Sequence, residues 1–315
     1  MHQAIGHARR DIDRDGGSRG KAKDLFAKRF VVHDRLLCVF FISIPQILFV
    51  LLRIFGKGGA YGMTEQEVRE ALTRGGIENA ALEATLLCET FSGEALATAL
   101  ARRLAQYPLQ YILGKWWFYR ECYEVSPACL VPRSDTELLV EEAIRRLPPS
   151  AHFLDLCTGS GCVAISTLAN RPDLTACAVD LFEETLALAA RNAARNGVAD
   201  RITLERADVL LPPTVPTRFD AILSNPPYIP NAVVPTLQRE VQYEPAAALC
   251  GGTDGLDFYR SILKNWQTVL KKDGFLLLEI GYDQANALRA LAAQYGRSAT
   301  VMRDLGGNDR VVLLQ

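Results

Sequence analysis

Phe153-Leu154-Asp155-Leu156-Cys157-Thr158-Gly159-Ser160-Gly161 is an apolar run of strand length that breaks into a glycine loop, and a helical stretch follows at Val163. The segment therefore reads as strand, turn and helix. Outward from it, short apolar runs recur at Ala176–Val179, Ile202–Leu204, Ala221–Leu223, Phe275–Ile280 and Val311–Leu314. Helical periods lie between them, as at Glu183–Asn196. Strands alternating with helices predict an α/β fold with a mostly parallel sheet covered on both faces. No internal repeat is visible.

The bulk properties narrow the chemistry. The chain has 315 residues, 49% hydrophobic and 23% charged, enough to bury a full core. Its net charge of -1 provides no global basic field for nucleic acid. The eight cysteines form no Cys-x-x-Cys pair, and a chain of this size needs no stapling. Reduced thiols in a cytoplasmic protein are expected. Three of the four histidines, His2, His7 and His33, fall in the first 33 residues, leaving only His152 beyond. A histidine-based triad would depend on that one residue, and a histidine zinc site would lack ligands, so no metal is expected. His152 opens the apolar run and reads as structural.

Residues 1–35 mix charges and glycines without an apolar period and read as disordered. Leu36–Phe55 is long enough for a membrane span, but Pro45-Gln46 near its centre argues against one. Gly56–Gly62 reads as a flexible break. At Met63 the composition changes: Thr64 and Glu67 make a capping box ahead of Val68, Ala71 and Leu72. Leu82, Leu86 and Leu87 continue the helical period, so residues 63–106 are expected to form a small helical bundle ended by Pro108. Residues 111–131, rich in aromatics and valine, suggest paired strands in a linker over 107–132. The remainder, 133–315, carries the alternating pattern.

A Gly-x-Gly pair alone would suit many nucleotides. Here the loop lacks the third glycine of a dinucleotide fingerprint, and Asp180 ends the next strand about 20 residues on, where a carboxylate can accept ribose hydroxyls. Ala207-Asp208 is expected to close a third strand, placing a carboxylate near an adenine amino group. Any one of these residues could be an ordinary turn or cap. Taken in strand order, Asp155, Gly159, Gly161, Asp180 and Asp208 line one edge of the sheet. Cys157, Thr158, Ser160 and Val209 complete the expected cofactor surface.

The apolar run Ala221-Ile222-Leu223 gives way to Ser224-Asn225-Pro226-Pro227-Tyr228. A proline-rich turn would account for the prolines but not for Asn and Tyr flanking them at the ligand edge. A planar NH2 group has its lone pair delocalised, and aiming it at a sulfonium methyl requires acceptors in its plane. The Asn225 side-chain oxygen can be one acceptor and the Pro226 carbonyl the other. Pro226 and Pro227 remove competing N–H donors and stiffen the loop. Tyr228 offers a flat surface for stacking. Asn225, Pro226, Pro227 and Tyr228 are thus the candidate catalytic and substrate-binding residues for methyl transfer. No strong base is needed beforehand, because the nitrogen becomes acidic once alkylated.

From Met63 to the C-terminus the sequence resembles the release factor glutamine methyltransferases, the HemK or PrmC family. The resemblance rests on Pro108-Leu109-Gln110-Tyr111-Ile112-Leu113-Gly114, Val131-Pro132-Arg133 with Thr136-Glu137, Thr158-Gly159-Ser160-Gly161 and Asn225-Pro226-Pro227-Tyr228-Ile229. It continues through Glu244-Pro245, Gly251-Gly252, Asp254-Gly255-Leu256, Glu279-Ile280-Gly281 and Asp309-Arg310. The tetrapeptide is shared with adenine-N6 methyltransferases, whereas the Pro108–Gly114 and Gly251–Leu256 segments are more specific.

The resemblance implies a class I, Rossmann-like fold with a mostly parallel seven-stranded sheet, a small N-terminal helical domain and a β-hairpin linker. It also implies S-adenosyl-L-methionine as cofactor and N5-methylation of the glutamine in the Gly-Gly-Gln motif of class 1 peptide chain release factors, with the helical domain docking that partner. Thr158–Gly161, Asp180 and Asn225 would contact the cofactor, and Asn225–Tyr228 would hold the substrate amide. A monomer without direct nucleic-acid contact is expected.

The sequence departs from the family at Ser134 and Asp135, where Pro and Glu are usual, and at Cys157, where Gly is usual. Residues 1–62 have no family counterpart, and an upstream start-codon choice is the expected origin rather than a membrane anchor. Adenine methylation in DNA or RNA is the competing reading. It would require a flipped base and a basic surround, and the catalytic region has no Lys/Arg run.

Overall fold

The computed structural model describes residues 62–215 and 218–315. Residues 1–61, with the expected disordered stretch and the apolar run Leu36–Phe55, lie outside the described residues. Among the described residues no helix is long and apolar enough to cross a membrane.

Seven strands form one sheet: β3 (His152–Leu156), β4 (Thr175–Asp180), β5 (Ile202–Arg206), β6 (Phe219–Ser224), β7 (Leu270–Glu279), β8 (Ala299–Arg303) and β9 (Asp309–Leu314). Their order is β5-β4-β3-β6-β7-β9-β8. β3 pairs in parallel with β4 and β6, while β9 runs antiparallel to β7 and β8. The pleat sends alternate side chains to opposite faces. Phe153, Ala176, Ala178, Ala221, Leu223 and Leu277 enter one core cluster, and Leu154, Leu156, Val179, Ile222, Leu276 and Leu278 the other. Helices α5 (Glu137–Arg146) and α6 (Cys162–Asn170) contribute to the first cluster. Helices α9 (Asp257–Lys264) and α10 (Ala285–Gln294) contribute to the second. Burial on both faces is why these strands read as apolar runs. The strand order reverses between β3 and β6, which opens a crevice at their carboxyl ends.

Upstream, α1 (Glu65–Arg74), α2 (Ala80–Thr90) and α3 (Gly93–Leu104) share a core containing Val68, Leu72, Leu87 and Leu100. The capping box forms as expected: the Glu67 N–H donates to Thr64 Oγ1 at 3.3 Å and the Thr64 N–H to Glu67 Oε2 at 2.9 Å. Pro108 does not end the helical part. It caps a short helix, α4 (Leu109–Leu113), whose Leu109 and Ile112 join the same core. Proline is tolerated there because the first turn of a helix has no N–H partners to lose. The hairpin strands β1 (Lys115–Phe118) and β2 (Glu121–Glu124) pair antiparallel. Buried Arg103 of α3 meets Glu83 of α2 at 2.5 Å and reaches Glu240, in the segment beyond the tetrapeptide, at 2.8 Å.

The strand readings need correction at two places. β5 stops at Arg206, so Asp208 lies two residues past the strand rather than closing it. β8 was not among the sequence candidates, because its half-exposed residues form no apolar run.

His152 opens β3, stacks on Phe219 with ring centroids 4.9 Å apart, and shares a 2.9 Å hydrogen bond with Thr175. It sits at the edge opposite the crevice, in a structural position.

Candidate active site

The loop after β3 is built from inside out. Asp155 is 1% exposed and accepts the Thr158 hydroxyl at 2.6 Å. Burial pushes the Asp155 carboxyl up to about 7, against the Thr158 hydrogen bond. Asp155 therefore supports the loop from below instead of lining its surface. The Thr158 N–H donates to the Val179 carbonyl at 3.0 Å, and the Gly159 N–H to Asp180 Oδ2 at 3.0 Å.

Gly159 has φ +56 and Gly161 φ +82, both in the left-handed region that favours glycine. At Gly161 a Cβ would sit 2.7 Å from Ile165 Cδ1. At Gly159 it would meet only Cys129 Cβ, at 4.0 Å, so the space over this peptide is open to a ligand. Cys157 adopts φ +59, the same left-handed region without the glycine that suits it. Burial holds its thiol well above its ordinary pKa, which disfavours the reactive thiolate.

Asp180 ends β4, and its other oxygen accepts the Phe182 N–H at 3.2 Å. Burial raises its pKa while the backbone donors draw it down. With Gly159, Phe182 and Leu181 as backbone donors, the carboxylate keeps acceptor capacity for a hydroxyl. The Ala207 N–H donates to the Asp180 carbonyl at 3.1 Å, bringing Asp208 alongside. Asp208 accepts the Leu210 N–H at 2.8 Å. The Val209 carbonyl turns inward, accepting Ser261 Oγ–H at 2.6 Å and Trp266 Nε1–H at 2.9 Å. Val209 anchors this loop to the core.

The tetrapeptide leaves the neighbouring strand. Ser224, the last residue of β6, is in register with Leu156 of β3. Its hydroxyl donates to the Leu156 carbonyl at 2.7 Å. Asn225 and Tyr228 are half-buried, and Pro226 and Pro227 are buried. Asn225 Nδ2 donates to Thr136 Oγ1 at 3.0 Å. With its NH2 anchored there, the Asn225 side-chain oxygen is the end left for an incoming donor. Burial raises the Tyr228 pKa, and its hydroxyl points to Glu279 Oε1 at 3.4 Å.

Several residues to which the sequence assigned no role at the site hold this loop. Gln284 Nε2 donates to the Tyr228 carbonyl at 3.0 Å. Gly251 and Gly255 press against the same backbone, so that a Cβ would fall 2.8 Å from the Pro227 carbonyl oxygen and 2.2 Å from that of Tyr228, respectively. Glu244 accepts the Val131 N–H at 2.9 Å and pairs with Arg133, tying the segment beyond the tetrapeptide to the stretch before α5. The signal available was the clustering of glycines at 251–255, but their partner was not readable from spacing.

Residues 134–242, from just before α5 to beyond the tetrapeptide, match the family model described as "Methyltransferase small domain". With the crevice and the glycine loop, that match defines an enzyme of the methyltransferase class. The release factor glutamine methyltransferase of Geobacter sulfurreducens is 41% identical over 265 residues, covering 78% of this chain and 92% of that protein. The one from Moorella thermoacetica is 38% identical over 270 residues, covering 78% and 95%. A solved release factor-specific protein-(glutamine-N5) methyltransferase from Alicyclobacillus acidocaldarius aligns with 32% identity and TM-score 0.36, covering 61% of this chain and 98% of that one. On the identity and coverage of the sequence relatives, the chain belongs to the release factor glutamine methyltransferase family.

Proposed function

We propose that the protein transfers a methyl group to the side-chain amide nitrogen, N5, of the glutamine in the Gly-Gly-Gln motif of class 1 peptide chain release factors. S-adenosyl-L-methionine is the donor. The open space over Gly159, between Thr158 and Asp180, suits the cofactor, and Asp180 would take its ribose hydroxyls. Bound there, the cofactor supplies an electrophilic methyl on a sulfonium.

The chain's own residues prepare the acceptor. The observation that carries this reading is the Asn225–Thr136 hydrogen bond, which leaves the Asn225 oxygen to accept one N–H of a planar amide. The Pro226 carbonyl would accept the second, and the Tyr228 ring would lie against the amide plane. Positioning then contributes most of the rate. The relatives' names support glutamine as the acceptor.

In this reading residues 63–106 dock the release factor, 107–132 link, and 133–315 carry catalysis. The enzyme works as a cytoplasmic monomer in translation termination, without direct nucleic-acid contact. Incubation of the full chain with methyl-labelled cofactor tests this. Label should appear on the release factor, vanish when its motif is changed to Gly-Gly-Ala, and be absent from duplex DNA. Label on DNA alone would establish adenine methylation instead.

A further inference from the structure

We propose that residues 230–250 are a strap coupling the docked release factor to the acceptor site, and that Glu240, gripped by Arg103 of the helical part, is the positioning residue on which this coupling depends. The inference rests on the functional reading above.

The strap starts where the tetrapeptide ends. Its two ends are pinned together: the Ile229 N–H donates to the Leu249 carbonyl at 3.0 Å, and the Gly251 N–H to the Ile229 carbonyl at 2.8 Å. Between them only Glu244 and Leu249 are buried. Regular structure is limited to two 3-10 turns, Val234–Thr236 and Val241–Tyr243, and the four-residue helix Ala246–Leu249. With so few buried apolar contacts of its own, the strap takes its position from polar anchors.

Those anchors lie on the stretches read as docking domain and linker. Arg103, its side chain 4% exposed, donates from Nε to Glu83 Oε2 at 2.5 Å and from Nη2 to Glu83 Oε1 at 3.1 Å. This fork fixes the guanidinium plane inside the helical part. Nη2 has a second N–H to give, and it reaches Glu240 Oε1 at 2.8 Å across 137 residues. Three residues on, the Tyr243 hydroxyl donates to the Ala105 carbonyl at 3.3 Å. The Tyr243 ring meets that of Tyr107 edge-on, with centroids 5.1 Å apart. Glu244 adds the tie to Val131 in the linker.

The arrangement separates two tasks. Gly251, Gly255 and Gln284 hold the tetrapeptide from behind, so the amide site keeps its shape when the clasp opens. The clasp decides where the middle of the strap lies against the helices. A glutamine carried on a protein has to reach Asn225 while the body of that protein rests on the helical part. The strap bridges those two places, and its position contributes to binding the whole substrate. Such binding is the same in the ground and transition states, so its loss appears in KM and not in kcat.

The test uses the full-length enzyme, with a release factor as methyl acceptor, and compares wild type with Glu240→Ala and Tyr243→Ala. Arg103 is left intact, because removing it would strand Glu83 as a buried unpaired charge. Each variant should raise the KM for release factor at least fivefold, with kcat and the cofactor KM within twofold of wild type.

A readout without substrate follows backbone amide hydrogen exchange by mass spectrometry. Exchange over residues 231–249 should quicken at least threefold in both variants and stay unchanged in β3 and β4. A release factor KM unchanged in both variants, or a fall in kcat at unchanged KM, would overturn the coupling. Strap exchange unchanged in both would overturn the clasp. If wild type leaves release factor unlabelled, the functional reading fails, and the exchange measurement still decides whether Glu240 holds the strap.

Discussion

At the scale of single residues, two side chains matter for opposite reasons. Asn225 offers an acceptor that no neighbour among the described residues takes, and truncating it removes the group proposed to align the substrate amide. Asn225→Ala should lower kcat about 100-fold or more, by analogy with the loss of one preorganised hydrogen-bonding group. Cofactor affinity, followed by calorimetry, should be only partly weakened. Cys157 holds a left-handed backbone at φ +59 in a place where the family usually has glycine. That conformation costs an L-residue about 1–2 kcal/mol, partly offset because glycine loses about 0.4–1 kcal/mol more chain entropy on folding. Cys157→Gly should therefore raise unfolding free energy by a few tenths to about 1 kcal/mol in urea titrations, with activity retained. A destabilised variant would mean that Cys157 packing outweighs its strain.

At the scale of elements, the segment around Gly251 and Gly255 acts as a backing plate for the tetrapeptide. Gly255 combines φ +77 with a Cβ position 2.2 Å from the Tyr228 carbonyl oxygen. Gly255→Ala should cost about 2 kcal/mol or more and depress kcat, because relief of the clash moves the substrate loop. Gly296→Ala is the matched control: φ is +70 there but nothing lies within 4 Å. It should show only the backbone penalty, about 1 kcal/mol, and unchanged kcat.

Legibility in the sequence follows the same division. Strands β3, β4 and β6 were readable because both faces are buried, and Asp180 and Asn225 because they stand at strand ends. The start of β7 was not, since exposed Lys271, Lys272 and Asp273 interrupt its apolar run, and neither was half-exposed β8. The contacts that aim the site were unreadable for another reason. Thr136 meets Asn225 across 89 residues and Gln284 meets the Tyr228 carbonyl across 56. No local pattern reports a partner at that separation.

At the scale of the whole molecule, the buried carboxyls set a pH dependence of stability. Glu279 stands at about 7 in the fold against an ordinary value of 4.5, so the native state holds more protons between those values. Stability from this group is therefore fullest below pH 4.5 and declines as pH rises through 7. Wild type should be more stable at pH 5 than at pH 8, and Glu279→Gln should narrow that gap by roughly 1–3 kcal/mol, measured by denaturant unfolding at both values. A gap of unchanged size would show that Glu279 does not titrate in this window. The register of β3 with β6 has a different consequence. Leu156 and Ser224 are hydrogen-bonded neighbours, so the loop expected to carry the methyl and the loop expected to carry its acceptor start about 4.8 Å apart, one inter-strand spacing. That interval belongs to the peptide backbone and is the same for any side chains placed on it. Enzymes built on this plan inherit a fixed working distance, and a change of acceptor has to be made on what surrounds the gap, never in its width.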